Sequence, residues 1–259
     1  MPTTAARRLI REHIGLWAAH EARNRLAYAA RVPGLRRFED AEVARLRPAA
    51  AMRPPTLFAT VVPCYRRPAL LRRAVESALA QSIADQTVVV VDDGGGQIPE
   101  DLPEDPRLVV VSLSRNTAVL GLVRNVGIRL SRSQYVAFLD DDNEWRPDHL
   151  EVALAGLRAG ASMVYTAVER RREDGALLDV LSTPFDRRRL ADDSYVDANS
   201  LAARRGRDVL FSRIPRTRTT LPKEDWEFVY RLSRRHVVRH LPEPTVRYLV
   251  NPASYYTAW

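Results

Sequence analysis

Tyr135-Val136-Ala137-Phe138-Leu139-Asp140-Asp141-Asp142-Asn143-Glu144-Trp145 runs from a strand-like apolar segment straight into three consecutive carboxylates. An apolar run without polar alternation suits a strand buried on both faces of a parallel sheet. In open α/β sheets, ligands collect beyond the carboxyl ends of such strands. Three adjacent like charges repel one another, so a fold that gathers them needs a counter-charge. A divalent cation supplies it most economically.

Working outward, the same grammar repeats. Leu57 to Val62 is a continuous apolar, β-branched run, and Pro68 to Gln81 places Leu70, Leu71, Ala74, Val75, Ala78 and Leu79 on one helical face behind a starting proline. Thr87 to Val91 is a second buried strand, ended by Asp92-Asp93-Gly94-Gly95-Gly96. Strand, helix, strand in this order predicts a right-handed parallel unit. Leu108 to Leu113 reads as a third strand and Gly121 to Leu130 as a helix leading back to the opening stretch. Tyr65 and Arg66, Asp92 and Asp93, and Asp140 to Asp142 therefore all fall at strand ends, where one cleft can collect them.

The second half is less regular. His149 to Ala159 reads as a helix, Ser162 to Glu169 as a strand, and Leu177 to Val180 as its partner after the Asp174-Gly175 turn. Asp186 to Asp193 reads as a charged loop, and Lys223 to Arg234 as a helix opened by Glu224, Asp225 and Trp226. At the other end, residues 1 to about 50 read as helical. Pro33-Gly34 breaks the pattern, and a second short helix is expected from Phe38 to Leu46, closed by Pro48 and Pro54-Pro55. The expected organisation is a helical extension over 1–55 and a domain over 56–259, with a nucleotide half (56–148) and an acceptor half (149–259).

Composition sets the outer bounds. The 259 residues are 46% hydrophobic and 28% charged, the profile of a globular chain with room for a sizeable core. A net charge of +8 admits anionic partners, yet nearly every cation is arginine, with Lys223 the only lysine. That bias reads as a coding preference, and no nucleic-acid partner is expected. Cys64 is the only cysteine, which excludes an intrachain disulfide, and its neighbours Val61, Val62 and Pro63 make it a buried apolar filler. No apolar run approaches the ~20 residues of a membrane span and no signal-peptide core is present, so a cytoplasmic protein is expected. The basic, amphipathic residues 1–50 would suit a peripheral membrane surface, a homodimer contact or packing on their own domain.

Each polar feature has a chemical and a plain reading. Asp93 can accept a hydrogen bond from the ring N–H of a base and Asp140 from ribose hydroxyls, while Arg66 and Arg124 offer forked donors to phosphates. Asp142 and Asp140 with a diphosphate would complete the ligand set of Mg or Mn. Against this, Asp-Asp-Gly is common turn chemistry, Arg124-Asn125 fits a solvated helix face, and the triad could cap the helix after Pro147. Glu224-Asp225 could merely complement a helix dipole, or could supply a general base for an incoming hydroxyl.

Taken together, the pieces resemble the family 2 glycosyltransferases, nucleotide-sugar enzymes of the GT-A fold, from about Thr56 to about Ser254. The matching segments are Val61-Val62-Pro63-Cys64-Tyr65-Arg66-Arg67, Val90-Val91-Asp92-Asp93-Gly94, Asn116 through Gly121 to Arg124-Asn125-Val126-Gly127, Phe138 to Asp148, and Glu224-Asp225-Trp226-Glu227. The resemblance implies an α/β fold with a mostly parallel, helix-flanked sheet. It implies that Pro63 and Tyr65 line a base pocket, that Asp93 beside Asp92 binds a uracil or thymine edge, and that Arg66 and Arg124 approach the base or phosphates. The first carboxylate of the DxD motif, Asp140, would contact ribose and metal, with Asp141 between, and the last, Asp142, would hold the metal. Asp225 matches the general base of an inverting transfer, and Asn199, Glu224 and Trp226 would stand on the acceptor side. Asn251-Pro252-Ala253-Ser254 departs from the pattern of relatives that carry histidine there, which leaves open whether Asn251 takes the place of a third metal contact. No Gln-x-x-Arg-Trp signature follows the acid pair, so a single transfer is expected rather than polymerisation.

The expected activity is thus a metal-dependent, inverting transfer from a UDP- or dTDP-sugar to a hydroxyl or amine, in a natural product or short glycan. Two rivals remain open. A nucleotidyltransferase would need a Gly-rich triphosphate loop after the first strand, where Pro63-Cys64-Tyr65-Arg66 stands instead. A non-catalytic nucleotide-sugar binder or scaffold would have no use for the intact carboxylates.

Overall fold

The apolar runs do become strands: helices on both faces of the sheet bury those at 56–64, 86–92 and 133–138, whereas 177–181 forms an exposed strand at the edge. The structure, a computed structural model, describes residues 15–51, 54–172, 174–217 and 220–250. In chain order the elements are α1 (Leu16–Tyr28), α2 (Val32–Ala51), β1 (Thr56–Cys64), α3 (Pro68–Leu79), β2 (Gln86–Asp92), β3 (Leu108–Ser112), α4 (Leu120–Leu130) and β4 (Ser133–Phe138). They continue with β5 (Asn143–Trp145), α5 (His149–Arg158), β6 (Met163–Arg171), β7 (Leu177–Leu181), α6 (Arg187–Leu190), β8 (Leu201–Arg204), α7 (Glu224–Leu232) and β9 (Val238–Leu249).

One mixed sheet in the order β3-β2-β1-β4-β8-β6-β9-β5, with β7 paired to β6, runs through the molecule. β3, β2, β1 and β4 are mutually parallel. β8 then runs antiparallel to both β4 and β6. β1 and β2 end at the same level, with Cys64 opposite Asp92, and Leu139 N–H still donates to Val61 O at 3.1 Å. The register therefore delivers Tyr65, Asp93 and Asp140 to one rim.

Packing on the two faces follows the sequence pattern. Leu71, Ala74, Val75 and Ala78 of α3 and Leu150, Ala153 and Leu157 of α5 cover one face with Phe58, Val62, Val88 and Val90. On the other face Leu35, Val43, Leu46 and Ala50 of α2 join Val89, Val91, Val109, Val111 and α4 in a continuous apolar cluster. At about 25 cal/mol per Å² of apolar surface removed from water, such burial outweighs any local reluctance of the chain.

That balance explains where the structure departs from expectation. The break between the two N-terminal helices falls at residues 29–31 rather than at Pro33-Gly34, and α2, which carries Pro48 inside it, is longer than the expected Phe38 to Leu46. Pro33 falls in the first turn, where no backbone N–H is required, and the apolar face of α2 is held by the sheet. The charged loop at Asp186–Asp193 contains the short helix α6, because the Asp186 carboxylate accepts from Arg188 N and Arg189 N as an N-cap. β5, β8 and β9 have no counterpart in the sequence expectations. Asn251 and the Pro-x-Ser-like segment, with residues 1–14, lie outside the described residues.

Candidate active site

The strand ends open into a cavity of about 440 Å³, lined on one side by Pro63, Tyr65, Asp93, Asn116 and Val119 and on the other by Asp197, Arg216 and Glu224, with Asp140, Asp141 and Asp142 between. Its geometry begins with Asp93. Oδ1 of this carboxylate accepts from Thr117 N (2.9 Å) and Thr117 Oγ1 (2.8 Å), and Oδ2 accepts from Ala118 N (3.0 Å). Oδ2 thus keeps lone-pair capacity for a ligand. Burial raises the proton affinity of Asp93, and these bonds only partly offset it. The loop that supplies them comes close because Gly94 has φ 70° and no side chain; a Cβ there would lie 2.3 Å from the Arg115 carbonyl carbon. Asp92, by contrast, turns away from the cavity to accept from Gly95 N and Gly96 N.

The triad is held by long-range partners. Asp140 N donates to Asn199 Oδ1 at 2.6 Å, and Asn199 Nδ2 donates back to Asp140 Oδ2 at 3.2 Å. Asn199 is itself fixed by Asp197 Oδ1 and by the Trp145 indole, which donates to its carbonyl at 2.7 Å. Asn199 accordingly braces the triad from behind. Arg67 Nη1 lies 2.7 Å from Asp142 and 3.4 Å from Asp141. Arg124, with no exposed surface, donates to Asp140 at 2.6 Å and to Glu224 at 3.1 Å. Burial opposes its charge, but Asp140 and Glu224 outweigh that and hold the guanidinium above its ordinary value. The solvated-face reading of Arg124 is therefore overturned, since a buried guanidinium needs carboxylate partners and finds two.

The electrostatics of the triad follow from crowding. Burial and the neighbouring Asp142 push Asp141 up to about 7, while Arg67 pulls the other way. Asp142 is likewise raised, by burial and then by Asp140. Two arginines thus leave the carboxylates short of positive charge, and the hard oxygen donors of Asp140 and Asp142 suit Mg or Mn. Among the described residues no three His, Cys, Asp or Glu side chains converge as a metal site. The protein side of any such centre would be those two carboxylates, with diphosphate oxygens and water as the remaining ligands.

Glu224 and Asp225 open α7 at the far wall. Glu224 Oε1 meets Arg124, whereas its Oε2 is buried without a partner. Asp225 sits behind the lining, 9% exposed, with Oδ1 accepting from Trp226 N at 2.7 Å. Burial, then Glu224 and Asp197, raise its proton affinity well above the usual carboxylate range. Asp197 is pushed up to about 6 by burial and by Asp140. Trp226 is not on the acceptor side of the cavity. Its ring is buried in the core beside Phe228 and Val229, with Nε1 donating to Leu190 O at 2.5 Å, because the apolar side of α7 must face the sheet. Arg66 lies outside the lining, its guanidinium 5.2 Å from the Tyr65 ring centroid.

The cavity thus brings together Pro63, Tyr65, Asp93, the triad and Glu224; Arg124, Asn199 and Asp225 stand behind its lining, and Arg66, Asp92 and Trp226 also lie outside it. Arg67 and Arg216 were not singled out from sequence as site residues. Arg67 had a signal, its place at the end of β1 two residues beyond Tyr65; Arg216 lies in an irregular segment without one. Cys64 is buried as expected, and burial with nearby Asp141 pushes its thiol up, away from nucleophilic use.

A mixed, helix-flanked sheet with carboxylates at the ends of its parallel strands defines an α/β domain of the GT-A kind. Residues 60–211 match the family model for glycosyl transferase family 2, and the chain belongs to that family. It is 38% identical over 125 residues, 47% of its length, to the succinoglycan biosynthesis protein ExoO of Rhizobium meliloti, of which it spans 33%. It is 32% identical over 104 residues, 38% of its length, to the colanic acid biosynthesis glycosyl transferase WcaA of Escherichia coli, of which it spans 37%. The fold is shared with residues 1–349 of S. aureus TarS in complex with UDP-GlcNAc, at a TM-score of 0.63 and 18% identity over 77% of this chain and 60% of that one. The chain therefore spans about a third of these two curated relatives.

Proposed function

We propose that the protein transfers a single sugar, with inversion, from a UDP- or dTDP-sugar to a hydroxyl or amine acceptor, with a divalent cation in the site. The observation that carries this reading is the joining of Asp93, the triad and Glu224 along one cavity, with Asp225 directly behind. The UDP-GlcNAc bound to the TarS chain supports the donor class. Relatives named for succinoglycan, colanic acid and teichuronic acid biosynthesis support a role in making polysaccharides.

In this reading Asp93 accepts from the base N–H and Pro63 and Tyr65 flank the ring. Asp140, fixed by Asn199 and Arg124, accepts from ribose. A cation held by Asp140 and Asp142 would neutralise the charge that develops on the leaving diphosphate. Asp225 removes the proton from the acceptor, whose oxygen or nitrogen forms the new bond at C1 while the bond to the nucleoside diphosphate breaks on the opposite face. Its raised proton affinity brings it toward the operating pH, where a general base works best. One observation favours a second assignment for this step: Glu224 lines the cavity and its Oε2 has no partner.

Calorimetry with UDP, with and without Mn, tests the donor site; binding tightened by Mn is expected, and Asp142→Ala should remove the Mn effect. In turnover, Asp225→Asn should cost at least ~100-fold in kcat with UDP affinity kept, in line with the worth of a general base. If Glu224→Gln abolishes turnover and Asp225→Asn does not, the base is Glu224.

A further inference from the structure

We propose that Arg216 is an anion receptor that takes a phosphate group of the molecule bound in the cavity, and that Glu21 of α1 is the residue that positions it. The proposal rests on the nucleotide-sugar reading above. Arg216 lies between β8 and α7, lines the cavity and is only 7% exposed. Its Nη2 donates to Glu21 Oε2 at 2.8 Å, an ion pair whose side chains are each 3% exposed. Its Nε and Nη1 are buried and have no partner. A charged donor left in this state is costly, and native proteins rarely keep one unless something absent from the protein itself completes it.

The charge of the cavity indicates what that something is. Its ionisable lining consists of the carboxylates of Asp93, Asp140, Asp141, Asp142, Asp197 and Glu224, the guanidinium groups of Arg67 and Arg216, the buried thiol of Cys64, and the phenols of Tyr65 and Tyr248. Arg67 is engaged by Asp141 and Asp142, and Arg124, behind the wall, by Asp140 and Glu224. A phosphate entering this negative space finds in Arg216 the lining cation with N–H groups to give, and guanidinium geometry suits phosphate oxygens.

Arg216 is held there by the N-terminal helix. Besides Glu21, Asn24 Nδ2 donates to Leu221 O at 2.8 Å, so α1 grips both ends of the 216–221 segment. Trp17 packs on Tyr230 of α7 at 4.6 Å between ring centroids, which ties α1 to the helix that carries Glu224 and Asp225. Both Glu21 and Arg216 fall outside the 60–211 span matched by the family model. Glu21 reaches Arg216 from α1, ahead of the first strand of the sheet. The phosphate has two possible sources, the diphosphate of the donor or a phosphorylated acceptor.

The test is calorimetry in Mn on the full chain, titrated with UDP, with uridine, and with inorganic phosphate after saturation by UDP. Arg216→Gln should bind UDP at least tenfold more weakly while uridine affinity is kept, and Arg216→Lys should recover part of the loss. Glu21→Gln should weaken UDP by a smaller factor and add nothing on top of Arg216→Gln, the coupling expected of a residue that acts through another. UDP affinity kept in Arg216→Gln, with loss of the inorganic phosphate that binds the UDP-saturated wild type, assigns the phosphate to the acceptor. Unchanged binding of both overturns the proposal, as does an equal loss of uridine and UDP in both Arg216 variants, which would make the residue structural. Wild-type protein that binds neither UDP nor dTDP overturns the nucleotide-sugar reading, and the proposal with it; if dTDP alone binds, the same titrations are read with dTDP and thymidine.

Discussion

His149 has no exposed surface, stacks on Trp145 at 4.1 Å and shares a 2.7 Å hydrogen bond from Nδ1 with Thr245 Oγ1. Burial depresses its proton affinity to about 3, against 6.5 for the free side chain. The sign follows from linkage: the unfolded chain binds this proton below pH 6.5 and the folded chain does not until about pH 3, so stability present above 6.5 drains away as the pH falls through that window. Each pH unit below 6.5 costs about 1.4 kcal/mol, or roughly 3 kcal/mol by pH 4.5. His149→Gln keeps a partner for Thr245 and removes the titration. Thermal melts at pH 7 and 4.5 should show the acid loss of Tm shrinking by about 6–12 °C in the variant. An undiminished acid loss would place the sensitivity elsewhere. Because Trp145 also donates to Asn199, which braces Asp140, the same acid limb should loosen the triad.

At the scale of elements, α2 does more than cover a sheet face. Glu39, fully buried, accepts from Arg213 Nε and Nη2 at 2.7 and 2.6 Å and from Arg129 Nη1 at 2.8 Å. Glu42 accepts from Ser114 N and Oγ at 3.0 and 2.7 Å, just ahead of the loop that holds Asp93. Removing one partner of such a buried network costs about 3–5 kcal/mol, so Glu39→Ala should lower Tm by roughly 6–20 °C. A shift under ~2 °C would show that the helix is held by its apolar face alone. These contacts also mark what was and was not legible. β1, β2 and β4 stand out because their apolar and β-branched residues run with little polar interruption, and the carboxylates stand out because they lie at the ends of those strands. β8, an Ala-rich Leu201–Arg204, and β9, with Pro242 and Pro244 within it, carry no such signature; neighbours in the sheet make them strands. α2 reads from sequence as the shorter Phe38 to Leu46 because Pro33 and Pro48 speak only of local geometry, whereas Leu35, Val43 and Ala50 answer to the core. The counter-charges were invisible for the same reason: Arg124 meets Glu224, and Arg216 meets Glu21, across long stretches of chain.

Charge is divided unevenly over the whole molecule. The chain carries +8, yet the cavity lining is dominated by carboxylates, so the excess of arginine lies elsewhere. Part of it is on the N-terminal helices, where Arg23, Arg25, Arg31, Arg36, Arg37 and Arg47 are exposed. The apolar residues of the same helices, Trp17, Leu35, Val43 and Leu46, are buried against the domain, and Leu26, 82% exposed, is the large apolar side chain left outside on α1. No helix among the described residues is long and apolar enough to cross a membrane. An amphipathic helix that inserts in a bilayer needs a free apolar face, and these helices have given theirs to the core. Attraction to a membrane through residues 15–51 must therefore be electrostatic, worth about 1 kcal/mol per arginine near an anionic surface and screened by salt. The full chain should pellet with vesicles rich in phosphatidylserine at low ionic strength, release above ~0.3 M salt, and ignore neutral phosphatidylcholine vesicles. Replacing Arg31, Arg36 and Arg37 by glutamine should weaken the first without changing the last. Salt-resistant binding to neutral vesicles would mean that an apolar face is inserted after all, and that the packing of α1 and α2 on the domain opens at a membrane.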